Sequence, residues 1–218
     1  MFERHCRLLE GCMDRITSAK VFVAGAGGLG CTVLSLLVRL GFENIYLVDH
    51  GIVDEPDLNR QILYDRESLG RSKTTVAKER LKKVNPSCNV VTFEETIDDN
   101  FCLPKVDVVV DCLDNFRSKL ILDKLCQENS VPLVHAGVQG FVGQITTILY
   151  GETPTLNQLF RGIQDQKDSQ IFPPLVVLVA SMQVAEVVKL ICKKKEILAG
   201  KILMVDLLSN HFETVKII

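Results

Sequence analysis

The sequence has no CxxC pair. Its 8 cysteines, Cys6, Cys12, Cys31, Cys88, Cys102, Cys112, Cys126 and Cys192, stand apart from one another. That spacing offers no zinc signature. In a cytoplasmic chain such cysteines are expected to be reduced, small and mostly buried. The sequence also lacks a strong charge of either sign. Its net charge is −2, which argues against a nucleic-acid surface over the whole chain. There is no uninterrupted apolar run of membrane-spanning length; the longest, Leu175 to Ala180, is far too short. The start, Met1-Phe2-Glu3-Arg4-His5, is charged and has no signal-peptide core. Internal repeats and low-complexity linkers are missing too. These absences point to a soluble, cytoplasmic protein. With 218 residues, 47% of them hydrophobic, the chain suits one α/β domain, with or without a short extension.

The chain alternates strand and helix. Residues 2–13 read as a short helix or arm. The first strand is placed at 19–24, a helix at 28–40 stopped by Gly41, and the second strand at 44–49. Loop with short helical turns fills 51–70. Ser72 caps a helix that runs through Val84 and stops at Asn85-Pro86. Strands follow at 90–94 and 106–111, then a helix at 116–128 and strands at 131–137 and 143–150. Only Gly137 to Val142 separates the last two, too little for a crossover helix, so their pairing is expected to be antiparallel. An irregular crossover segment covers 151–173. Pro173-Pro174 opens a helix to Lys194, and 201–206 with 211–217 form a closing hairpin. The expected fold is a Rossmann-like, doubly wound mixed sheet. Its first half is parallel, and antiparallel strands lie on the C-terminal side.

Chemistry concentrates between Lys20 and Gln61. A strand, the turn Gly25-Ala26-Gly27-Gly28-Leu29-Gly30 and a helix N-terminus make a phosphate site. Asp49 ends the next strand, where an acid holds ribose hydroxyls. The pattern points to an adenine nucleotide without separating NAD, FAD and ATP. Asp57-Leu58-Asn59-Arg60-Gln61 then adds a guanidinium fork that matches phosphate oxygens. A solvated loop arginine is the plain alternative. Lys73 falls in the first turn of a helix, where a cation is mildly unfavourable; a surface lysine is the common case. Asp114, in Asp111-Cys112-Leu113-Asp114-Asn115, follows the fourth strand. It can face the nucleotide and hold Mg²⁺ through oxygen, or it can cap the helix at Phe116.

These motifs in this order, GAGGLG, DLNRQ, GRSK and DCLDN, resemble the family of ThiF, MoeB and HesA proteins. That family includes the adenylation domains of ubiquitin-activating enzymes. Val131-Pro132-Leu133-Val134, Gly143-Gln144-Ile145 and Gly200-Lys201-Ile202 before Asp206 fit as well. The resemblance runs from Arg4 to the closing hairpin. It implies a single adenylation domain over 1–218, with 1–18 as an N-terminal arm. It also implies an ATP- and Mg²⁺-dependent adenylyltransferase acting on the C-terminal glycine of a small ubiquitin-like sulfur carrier ending in Gly-Gly. By position, Gly25, Gly27, Gly28 and Gly30 take the nucleotide and Asp49 the ribose. Asn59, Arg60, Gln61 and Lys73 take the phosphates, and Asp114 the metal. Arg4 sits where the family's arm carries an arginine that reaches the γ-phosphate of the other subunit in a homodimer.

Two features depart from the family pattern. The two CxxC pairs that bind zinc in many relatives are missing, so zinc is expected to be absent. The loop from Gly162 to Pro174 has no cysteine, which speaks against a thioester or persulfide step. Two other readings stay open beside the carrier. One is a nucleotide-binding scaffold without turnover, and the other is adenylation of a non-protein substrate such as a tRNA base. An NAD-dependent oxidoreductase needs a proton relay. The histidines His5, His50, His135 and His211 sit in no dehydrogenase motif. His135, in an apolar strand, reads as a satisfied core histidine.

Overall fold

The computed structural model describes residues 1–162 and 170–217. Its core begins with β1, Lys20–Ala24, whose four residues after Lys20 are buried. A strand covered on both faces needs a continuous apolar sequence, and Val21-Phe22-Val23-Ala24 supplies one. Val21 and Val23 face one core layer, Phe22 and Ala24 the other, as the two-residue period of a strand requires. β1 pairs in parallel with β2, Asn44–Val48, on one side and with β4, Val108–Asp111, on the other. β3, Asn89–Phe93, lies outside β2. β5, Leu133–Gln139, continues the parallel half beyond β4.

From there the sheet turns antiparallel, as the short connection requires. β6, Val142–Ile148, pairs with β5 from Leu133↔Ile148 to Gln139↔Val142. β7, Lys201–Asp206, and β8, His211–Lys216, complete the order β3-β2-β1-β4-β5-β6-β7-β8. The fourth strand starts two residues later than its apolar run. Asp107 turns aside to bond the start of β1, with its carboxylate on the Lys20 N–H (2.8 Å) and its own N–H on the Lys20 carbonyl (2.9 Å).

The N-terminal segment makes two short helices, α1 (Glu3–Cys6) and α2 (Met13–Ser18). α3 (Gly28–Leu40) ends where Gly41, at φ +102°, returns its N–H to the carbonyls of Leu37 and Val38. α4 (Lys73–Val84) is capped by the Ser72 hydroxyl and α5 (Phe116–Glu128) by Asn115. α6 (Leu156–Leu159) lies inside the expected irregular segment at 151–173; residues 163–169 of that segment lie outside the described residues. α7 is Pro173–Ile191. α3, α4 and α7 cover one sheet face, α5 and α6 the other.

Two expectations change. α7 has the length and apolar content of a membrane span. The helix length was expected; Ser181, Gln183 and Glu186 break the run of apolar residues, so no uninterrupted span was read from the sequence. In the fold α7 packs against α3, β5 and β6. Its buried polar residues bond the core: Gln183 Nε2 donates to the Asp111 carbonyl (2.8 Å), and Glu186 accepts from Thr147 (2.8 Å) and from the Leu198 N–H (2.7 Å). The cysteines are not all reduced: Cys12 and Cys192 form a disulfide across 180 residues, with their Cα atoms 5.5 Å apart. Sequence spacing cannot show this pair. It arises because the start of α2 and the end of α7 meet beside the core.

Candidate functional site

The sheet order reverses between β1 and β4, and a doubly wound sheet opens its binding crevice at the carboxyl ends of such strands. A cavity of about 990 Å³ lies there, lined by the turn after β1, the end of β2, the loop after β4 and the start of α7. The two loops touch. A Cβ on Gly25 (φ +100°) would sit 2.7 Å from the Cys112 carbonyl oxygen, and one on Gly30 only 1.9 Å from the Gly25 carbonyl oxygen. Only glycine closes this turn. Gly25, Gly27 and Gly28 line the cavity, whereas Gly30 is buried beneath them. α3 starts without a side-chain cap, so its first-turn N–H groups are available to an anion.

Asp49 lines the cavity from the end of β2. One carboxylate oxygen accepts from the Ala26 N–H (2.7 Å), the other from the Gly51 N–H (2.7 Å). It therefore also fixes the glycine turn against β2. Tyr64 grips the same turn through its hydroxyl, which donates to the Ala26 carbonyl (2.8 Å).

Arg60, Gln61 and Lys73 line the cavity beside the glycine turn and Gly51. All three turn toward Asp57, which lies 3.0 Å from Lys73 Nζ, 2.5 Å from Gln61 Nε2 and 3.8 Å from Arg60 Nη2. The Gln61 Oε1 is buried with no partner among the described residues. Asn59 behaves differently from its neighbours. It is exposed and not part of the cavity wall, and its side-chain oxygen accepts from Arg60 Nη1 (2.8 Å). It orients the guanidinium.

Asp114 is exposed at the cavity rim, and the two roles open in the sequence separate cleanly. Asn115 is the cap of α5, accepting from the Ser118 N–H (2.9 Å). Among the described residues, Asp114 accepts from the Asn115 amide, at 3.2 Å. No group of three or more His, Cys, Asp or Glu side chains among the described residues is arranged to hold a metal ion. One free carboxylate facing a phosphate site is the donor set magnesium uses, with substrate oxygens completing its shell.

Arg4 lies far from this cavity. It is exposed on α1, whose His5 Nε2 is 3.3 Å from the Leu40 carbonyl at the C-terminal end of α3. The glycine turn is at the other end, about 18 Å away along the helix.

The sequence reading missed a buried trio at the cavity floor, two members of which, Lys119 and His135, line the cavity. Asp111 is fully buried and meets Lys119 Nζ with both oxygens at 3.0 Å and His135 Nδ1 at 2.6 Å. Burial pushes the Asp111 carboxyl up, but Lys119 and His135 outweigh it, and the net shift is downward. Burial holds His135 below its usual value, against the pull of Asp111, so it is neutral near pH 7. A neutral ring beside a carboxylate donates through Nδ1, leaving Nε2 a lone pair. That Nε2 has no partner among the described residues, so the expected satisfied core histidine is satisfied on one side only. The available signal was a lysine one turn into the helix after an aspartate-ended strand. Cys112 also lines the cavity, but burial, then the charge of Asp111, pushes its thiol well above the ordinary range. It is a poor nucleophile.

Residues 4–218 match the ThiF family. The chain is 30% identical over 220 residues to a probable molybdopterin-synthase adenylyltransferase of Porphyra purpurea, covering 96% of this chain and 57% of that protein. It is 31% identical over 210 residues to the SAMP-activating enzyme E1 of Haloferax volcanii, covering 92% and 77%. Among solved structures, Escherichia coli MccB with ATP superposes at a TM-score of 0.86 and 23% identity, covering 94% of this chain and 65% of that one. At that identity the likeness concerns the fold.

Proposed function

The chain belongs to the ThiF family, and on that premise we propose that it adenylates the C-terminal glycine carboxylate of a small ubiquitin-like sulfur carrier with ATP, releasing pyrophosphate. One observation carries the reading: a single cavity gathers an open helix N-terminus, a ribose-type acid, two cations, an amide and a free carboxylate. Two cations at the phosphate end suit the charge of a triphosphate better than that of a dinucleotide's pyrophosphate. The relatives' names, an adenylyltransferase and an activating enzyme, support the same class.

A glycine carboxylate is already ionised at pH 7, so the step needs no general base. A carboxylate oxygen bonds the α-phosphorus, the bond from that phosphorus to the β-bridging oxygen breaks, and pyrophosphate leaves with the electron pair. The protein positions both reactants and neutralises charge. The N–H groups of α3 and the side chains of Arg60, Lys73 and Gln61 hold the phosphates. Asp49 holds the ribose while keeping the glycine turn in place. Magnesium, when bound, supplies further positive charge to the phosphate oxygens, and Asp114 is the residue to hold it. The cavity lining extends from the glycine turn to Val138, Gln139, Val142 and Ile171 beside the start of α7, and we assign that end to the carrier's tail. Arg4 acts on the partner's nucleotide in a homodimer, since its own cavity lies at the far end of α3.

The test is ATP–pyrophosphate exchange with purified Gly-Gly-ended carriers. Exchange that depends on one carrier supports the reading. ATP binding with no exchange for any carrier favours the scaffold. Exchange that depends on RNA favours a base substrate.

A further inference from the structure

Asp57 is the one acid among the groups assigned to phosphate. It sits in the short 3-10 turn Glu55–Asn59, lines the cavity, and its side chain is 14% exposed. Both of its oxygens are engaged. Oδ2 accepts from Lys73 Nζ at 3.0 Å and from the Asp54 N–H at 3.1 Å. Oδ1 accepts from Gln61 Nε2 at 2.5 Å and lies 3.8 Å from Arg60 Nη2. One carboxylate thus holds the three side chains that a polyphosphate needs. The same carboxylate also closes the capping box of the turn through the Asp54 N–H, so the turn is built with a negative charge set against the cations of the cavity.

We propose that Asp57 is the internal counter-anion of the phosphate site and sets how tightly polyphosphate is held. Without ligand it keeps Lys73, Arg60 and Gln61 aimed into the cavity. An incoming triphosphate takes those partners from it and leaves its charge beside the phosphates. The repulsion lowers affinity, most for the metal-free nucleotide, which carries the most negative charge. The inference rests on the nucleotide reading of this cavity.

Calorimetry tests it on the intact chain, with ATP in chelator, ATP with magnesium, and AMP, which has no β- or γ-phosphate. Asp57→Asn removes the charge and keeps the shape. It is expected to bind metal-free ATP about tenfold or more tightly than wild type, the scale of one like-charge contact removed from a half-screened site. The gain is smaller with magnesium and smaller still for AMP. Asp57→Glu, which keeps the charge, gains nothing. Thermal melts check that each variant is folded, and Asp57→Ala repeats the charge removal if Asp57→Asn is not. If the folded neutral variants bind ATP no better than wild type while wild type binds it, the inference falls and the nucleotide reading stands. If wild type and variants bind no adenine nucleotide, the nucleotide reading falls and takes the inference with it.

Discussion

Asp114 and Asn115 are neighbours with separable duties. Asn115 caps α5, while Asp114, among the described residues, takes a 3.2 Å contact from its neighbour's amide. Asp114→Ala is expected to leave the melting temperature unchanged and to abolish metal-dependent pyrophosphate exchange. Asn115→Ala is expected to lower stability by about 1 kcal/mol through loss of the cap. Chemical denaturation and exchange assays on the two variants check both halves. The buried trio makes a second residue-scale prediction. His135, with a usual value of 6.5, is held lower in the fold, so the unfolded chain takes up a proton first as pH falls. Asp111, with a usual value of 3.8, is also held lower. Each contribution is complete above the unfolded value and declines as pH drops toward the folded one. Stability should therefore fall from about pH 6.5 downward, at up to about 1.4 kcal/mol per pH unit for one proton, and fall again below 3.8. Urea melts across pH measure this, and in His135→Gln the first decline should disappear.

Much of the element scale was legible. The helix at 28–40 is predicted by its glycine start and by Gly41, and α3 has those bounds. The 116–128 helix and the antiparallel β5–β6 pair follow from the capping residues and the connection length. Of the cavity lining, the turn, Asp49, Arg60, Gln61, Lys73 and Asp114 were readable as motifs, because each is local in the chain. What local pattern cannot give is contact between distant segments. The Asp111–His135 and Asp57–Lys73 pairs and the Cys12–Cys192 bond join residues that the fold brings together from different elements. The disulfide ties α2 to the end of α7. Reducing it, or replacing both cysteines by serine, is expected to cost about 2–5 kcal/mol. In denaturant the oxidised protein should show 6 reactive thiols, and the reduced protein all 8. A count of 8 in non-reducing conditions would contradict the bond.

At the scale of the whole molecule, the placement of Arg4 underlies the proposed role of a second copy. α1 is held at the C-terminal end of α3, and the disulfide holds the following segment on the α7 end away from the cavity. In a two-fold dimer two such arms reach two sites reciprocally. Mixing Arg4→Ala with Asp114→Ala, each inactive alone, should restore part of the exchange activity, because one site per heterodimer then keeps both groups. Subunit exchange without recovered activity, or a monomer in sedimentation at assay concentration, would overturn the trans role.

The pairing of β1 with β4 carries a consequence for the birth of the chain. β1 and β2 are close in sequence and can join early, yet the other edge of β1 waits for Val108–Asp111. At ribosomal speed that wait lasts roughly 4 to 17 s. Throughout it, an apolar strand with one bare edge, the kind that recruits other chains, stands in a half-made protein. Co-translational chaperones should be needed most in that interval, and yield on overexpression should rise when synthesis through residues 25–107 is quickened rather than slowed.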